Sequence, residues 1–205
     1  MFVEEYFKTP ILVEEKPEWA DYLIDKTNPL IEKAKKNNQQ KIKKNKNSDF
    51  GIVHHSENIA NDVLFKDFFA YVAEKSFNFL DWCGYDLKNY DLIFNDTWVQ
   101  EFPKDGGGHH NTHIHSNNHV SGFYYLISNN KSSYPVFHDP RPAHIMNYLP
   151  EKNRDNITNA SIATHWKVNS GTLIITPAYL PHEYVIQKND PFRFIHFNLQ
   201  AIRRN

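Results

Sequence analysis

Beyond Gly84 the sequence breaks into eight short runs rich in β-branched and aromatic residues, at 93–102, 109–114, 120–127, 135–138, 161–168, 172–176, 183–186 and 192–202. Gly, Pro, Asn, Asp and Ser separate them, and nothing between them reads as a helix. Consecutive strands leave unpaired edges unless they close or stack on one another, so this spacing predicts an antiparallel roll or sandwich. The expected fold is mainly β with N-terminal helices, its core a double-stranded β-helix, that is, a jelly-roll, cupin-like barrel.

The 205 residues suit a single domain, 1–205, in which 1–90 supply an N-terminal strand and helical layer and 91–205 the jelly-roll core. A short strand is predicted over 6–13, closed by Glu14-Glu15-Lys16-Pro17. Helical spacing of Trp19, Leu23 and Ile24 follows, and Asn28-Pro29 is read as the start of a second helix carrying Leu30, Ile31 and Ala34. The stretch 35–48, almost all Lys, Asn and Gln, offers too little apolar surface to offset ordering entropy and is expected to be a mobile loop. The strongest helix is predicted over 61–82, where Leu64, Phe68, Tyr71, Val72, Lys75 and Phe79 recur at three- and four-residue steps before Cys83-Gly84.

Within the strands, His113 and His115 stand two apart, so both imidazoles can aim at one point from one face. A third ligand must come from elsewhere in the chain, and His182, 67 residues beyond His115, is the candidate: it opens the seventh run, which neighbours the second in a jelly roll. Alternatives stay open. Glu101 or Asp139 could supply a carboxylate, His115 could stand behind a ligand without being one, and a register error could exchange His109, His110 or His119 for a chosen histidine. Glu183 should alternate away from His182. His54, His55, His138, His144, His165 and His196 lack paired spacing and read as surface or hydrogen-bonding residues.

Several motifs in order resemble the 2-oxoglutarate-Fe(II) oxygenases with a His-x-His and Ser-Gly-x-Tyr-Tyr signature. They are Asp96-Thr97-Trp98-Val99, His113-Ile114-His115, Ser121-Gly122-Phe123-Tyr124-Tyr125-Leu126, Asp139-Pro140-Arg141, Gly171 to Pro177, His182, and Arg193-Phe194-Ile195-His196-Phe197-Asn198. The resemblance implies Fe(II), 2-oxoglutarate and dioxygen as cofactors, with His113, His115 and His182 as both metal ligands and catalytic residues. It also implies that Arg193, eleven residues after His182, anchors the far carboxylate of 2-oxoglutarate by a two-pronged contact, and that Tyr125 adds a hydroxyl while Tyr124 faces away. Three imidazoles replace the two imidazoles and one carboxylate of the wider superfamily, which raises the charge at the metal by one.

The implied reaction is oxidation of a C–H bond, a hydroxylation, coupled to decarboxylation of 2-oxoglutarate, on a small molecule or protein side chain that the sequence does not identify. The segment 140–159 interrupts the strands and is a candidate lid. Two rival readings are a cupin-like metalloenzyme that does not use 2-oxoglutarate, and a non-catalytic metal-binding barrel. Lys+Arg 23 against Asp+Glu 24 gives a net charge of −1, without the basic footprint of a nucleic-acid partner. No apolar run is long enough to span a membrane, and the lone Cys83 and the absence of a signal-peptide pattern lead to an expected cytoplasmic location. A homodimer is compatible with the sequence.

Overall fold

The computed structural model describes residues 1–129, 131–146, 149–186 and 190–204. From the N-terminus the elements are β1 (Leu12–Glu15), α1 (Ala20–Asn37), α2 (Gln39–Lys44), β2 (His54–His55), α3 (Lys66–Trp82), β3 (Tyr90–Glu101), β4 (His110–His113), β5 (Val120–Ile127), β6 (Pro135–His138), α4 (Pro142–Met146), β7 (Ala163–His165), β8 (Thr172–Pro177), β9 (His182–Tyr184) and β10 (Arg193–Arg203). All pairings are antiparallel. A six-stranded sheet runs β1-β8-β5-β10-β3-β2 and a four-stranded sheet β4-β9-β6-β7. This is the jelly-roll order expected from the eight runs, although among the described residues no ladder joins the two sheets into a closed barrel.

Three N-terminal expectations change. The first strand pairs with β8 over Leu12–Glu15, downstream of the predicted 6–13. The two predicted helices are one, α1, with Pro29 inside it. Ala20, Leu23, Thr27, Ile31 and Ala34 form a buried stripe that continues through the proline, and its burial outweighs the roughly 3 kcal/mol that an interior proline costs. The Lys/Asn/Gln stretch is helical to Lys44 rather than a loop. Lys and Gln are good helix formers, and the segment is tied down: Lys35 pairs with Glu101 at 2.8 Å, and Asn38 Nδ2 lies 3.2 Å from His54 Nδ1.

The large sheet has two dissimilar faces, and alternation along β10 sorts them. Ile195, Phe197 and Leu199 join Leu23, Ile31, Phe68, Val72 and Tyr124 in a core beneath α1 and α3. Phe194 joins Phe102, Phe123, Tyr125, Phe137, Tyr184 and Phe192 in a second core, between the sheets. The glycine of the Ser-Gly-x-Tyr-Tyr motif is explained by the first core: a Cβ on Gly122 would stand 2.3 Å from the Phe197 ring. Of the 140–159 segment, 142–146 form the short α4; Asn147 and Tyr148 lie outside the described residues.

Candidate metal centre

β4 and β9 are hydrogen-bonded neighbours with His113 directly opposite His182. His115 follows β4 by two residues, and its backbone N–H donates to the Ala178 carbonyl at 3.0 Å, fixing the turn against the chain that leads into β9. The three rings converge, with centroids 5.0 Å (His113–His115), 4.6 Å (His113–His182) and 5.1 Å (His115–His182) apart, and one nitrogen from each lies within 4.8 Å of the others. Among the described residues this is the one such group of metal-ligating side chains.

Hydrogen bonds aim the rings. His113 Nδ1 lies 2.7 Å from the Asn111 carbonyl and His182 Nδ1 lies 3.0 Å from the Leu180 carbonyl, so each Nδ1–H donates to backbone and each Nε2 keeps its lone pair for the centre. His115 Nε2 stands 3.3 Å from His182 Nε2. Two imidazole nitrogens bound to one ion at about 2.1 Å and a right angle would stand about 3 Å apart. The donor set therefore fits a divalent first-row metal and leaves further coordination positions open.

The carboxylate alternatives are engaged elsewhere. Glu101 is held by Arg193 and Lys35, while Asp139 binds Arg141 and His144, and the Arg141 guanidinium keeps its carboxyl well below the usual range. Glu183 accepts from Thr112 at 2.6 Å.

The expectation for Arg193 is corrected. Its place in β10 puts it on the helix side of the sheet. There Nη2 and Nε lie 2.5 and 2.7 Å from Glu101, its cross-strand neighbour, and Nη1 donates to Asn28 Oδ1 at 2.7 Å and Thr27 Oγ1 at 3.2 Å. Arg193 is the one Arg or Lys fully buried among the described residues, so no buried guanidinium or ammonium faces the imidazoles. Tyr125 does face the interior, its hydroxyl 2.7 Å from that of Tyr184, and burial raises the pKa of both phenols. Tyr124 points the other way and donates to the Lys16 carbonyl at 2.6 Å.

Two site residues escaped the sequence reading. His196, 2% exposed, stacks on Trp98 at 4.1 Å and has its ring centroid 4.5 Å from that of His115; Asn198, also 2% exposed, sets Nδ2 3.2 Å from His115 Nδ1. The signal was available in the alternation of β10, which sends 194, 196 and 198 inward. His110 also borders the centre, with its ring 5.7 Å from that of His113. Gln100 links it to Trp98, with Nε2 3.0 Å from His110 Nε2 and Oε1 accepting from Trp98 Nε1 at 3.3 Å. His55 of β2 lies parallel to His110 at 5.8 Å and completes an aromatic wall beside the partly exposed His113 and His115.

Burial is the main reason that His182 is lowered to about 3 and His115 to about 4. Both are thus neutral near pH 7, as metal ligation requires. In the metal-free protein a depressed folded pKa means that the unfolded chain binds protons first as the pH falls. The stabilisation is complete above the unfolded pKa of 6.5 and is lost as the pH drops toward about 3. Urea titrations of the metal-free protein should show a loss on the order of a few kcal/mol between about pH 7 and about pH 4.

Residues 96–198 match the profile of the family described as Putative 2OG-Fe(II) oxygenase. Among solved structures, a Pseudomonas putida prolyl-4-hydroxylase is similar, at 10% identity and TM-score 0.56, with 95% of this chain and 92% of that one covered. So is a viral collagen prolyl hydroxylase from Paramecium Bursaria Chlorella virus-1 in a 2OG complex, at 10% identity and TM-score 0.56, covering 94% and 96%. HygX from Streptomyces hygroscopicus, with nickel and 2-oxoglutarate bound, is similar at 11% identity and TM-score 0.54, covering 94% and 83%. No curated protein matches the chain in sequence.

Proposed function

The chain belongs to the 2OG-Fe(II) oxygenase family, and from that premise we propose that His113, His115 and His182 hold the iron of a dioxygenase that hydroxylates a C–H bond. The convergence of three imidazole nitrogens on one point, with no carboxylate among them, carries this reading. Fe(II), 2-oxoglutarate and dioxygen are the cofactors of this enzyme class. Bound together, they supply oxidative decarboxylation of 2-oxoglutarate to succinate and carbon dioxide, one oxygen atom passing to the substrate carbon.

The protein's own contribution is position and shielding. Tyr125 and Tyr184 lie one interior step along their strands from Phe123 and His182, about 7 Å in Cα spacing. Two phenols bonded to each other use one of their two hydrogens, and burial keeps both protonated. We assign the remaining hydrogen as a donor to the far carboxylate of 2-oxoglutarate, the part the sequence reading gave to Arg193, whereas Tyr125 was expected only to add a hydroxyl contact. A neutral hydroxyl thus stands where a guanidinium was expected. The primary substrate, a small molecule or a protein side chain, reaches the metal past Trp98, His55 and His110, a neutral aromatic wall suited to an uncharged group. No helix among the described residues is long and apolar enough to cross a membrane. A reducing cytoplasm suits both Fe(II) and the unpaired Cys83.

Anaerobic titration of the Fe(II)-loaded protein with 2-oxoglutarate tests the reading through the visible metal-to-ligand charge-transfer absorption of a chelated 2-oxoacid. The band is expected at one equivalent, with weaker 2-oxoglutarate binding in Tyr125→Phe. Iron bound without the band would favour the cupin-like alternative, and no iron binding the non-catalytic barrel.

A further inference from the structure

The third imidazole is aimed differently from the other two. Backbone carbonyls hold Nδ1 of His113 and of His182, and no side-chain substitution can remove them. His115 has a side chain instead: the carboxamide of Asn198, buried on β10 with Nδ2 at 3.2 Å from His115 Nδ1. In that orientation the amide donates, so Nδ1 must carry the lone pair and Nε2 the proton. A proton on Nε2 suits the metal-free centre, where it can bridge the 3.3 Å to His182 Nε2. It is incompatible with ligation through the same nitrogen. The other half of the amide is unsatisfied, since Asn198 Oδ1 is buried without a hydrogen-bond partner. Turning the amide over gives this oxygen a partner and leaves Nδ2 without one, so the choice between the two orientations is set by which nitrogen of His115 must carry the proton.

Resting on the assignment of His115 as a ligand, we propose that Asn198 is the positioning residue of the metal centre, its carboxamide turning over so that Oδ1 accepts the Nδ1–H of His115. The turn exchanges two atoms of nearly equal size within one envelope and needs no backbone movement. It puts the otherwise idle oxygen at the 3.2 Å position and fixes the His115 tautomer with its lone pair on Nε2. All three imidazoles then present Nε2 to the ion, each with its Nδ1–H on an oxygen. The carboxamide thereby couples metal occupancy to a proton shift across a single ring.

Two variants separate acceptance from donation. Asn198→Leu preserves bulk and removes the acceptor, whereas Asn198→Asp keeps an acceptor and has no hydrogen to give when ionised. Co(II) affinity by chelator competition is expected to fall about 10- to 100-fold in Asn198→Leu. In Asn198→Asp it should equal or exceed wild type. In the Co(II) protein the exchangeable His115 Nδ1–H resonance, shifted by the paramagnetic ion, should exchange faster with solvent in Asn198→Leu alone. Wild-type affinity in a folded Asn198→Leu would overturn the proposal, as would equal losses in both variants, which mean that the amide donates. Should Asn198→Leu not fold, Asn198→Asp decides: retained affinity supports acceptance and lost affinity refutes it. Failure of the wild type itself to bind Co(II) would instead sink the three-histidine centre, and this role with it.

Discussion

His182→Ala is expected to lower Fe(II) affinity by at least about 100-fold and leave the protein folded. The imidazole is 1% exposed, comes from the first residue of β9 and sits directly opposite His113. Its removal leaves two nitrogens, too few to retain a divalent ion against solvent. Folding should survive because the side chain is a burden in the metal-free state: burial holds it at about 3, and acid must charge it inside the protein. The metal-free variant should accordingly be less acid-sensitive than wild type even if its cavity lowers stability at neutral pH. Equilibrium dialysis against Fe(II) and acid unfolding monitored by circular dichroism check the two halves. Retention of stoichiometric iron would remove His182 from the site.

Arg193→Met should give the opposite profile, a less stable protein with an intact metal centre. Removing one partner of a buried ion pair leaves the other charge uncompensated, at a cost of about 3–5 kcal/mol, and Lys35 on Glu101 places this case near the lower figure. Asn28 and Thr27 also lose their partner, loosening α1 from the sheet. For a chain of this length the melting temperature should fall by about 6–12 °C. Adding Glu101→Gln should recover part of the loss by removing the stranded charge. The 2-oxoglutarate charge-transfer band of the Fe(II) protein should be that of wild type at permissive temperature. Selective loss of 2-oxoglutarate binding would restore the role first expected from sequence.

The contrast between these two residues marks how far the sequence could be read. Both were chosen from the same motif order. His182 was legible because two facts combined: the i, i+2 pair at 113 and 115, and the adjacency of the second and seventh strands. Arg193 depended on strand parity. Arg193 shares the parity of Ile195, Phe197 and Leu199, and unbroken pairing with β3 carries that alternation through it to the helix side, where a one-residue difference in strand register would have sent it inward. The same parity sends His196 and Asn198 inward but leaves open which residue they meet. Spacing along one strand cannot place them beside His115, which reaches them only through the stacking of two sheets. In the N-terminal half, propensity gave the helices, but packing against the large sheet decided their extent. The buried stripe of α1 runs through Pro29, and Lys35 and Asn38 draw a polar stretch into helical order.

One short strand divides the molecule in a way its length does not suggest. β2 has two residues and lies outside the span that matches the family, yet it carries His55 to the rim of the metal centre. Asp49 secures its approach, accepting from the backbone N–H groups of Lys104 and Asp105 at 2.9 and 2.7 Å. The three candidate ligands, with Trp98 and His110 of the wall, fall within the matched span, and His55 is the wall's one member drawn from outside it. On the function proposed above, substitution of His55 would alter the rim without touching the three candidate ligands, so that selectivity could diversify while the centre is inherited unchanged.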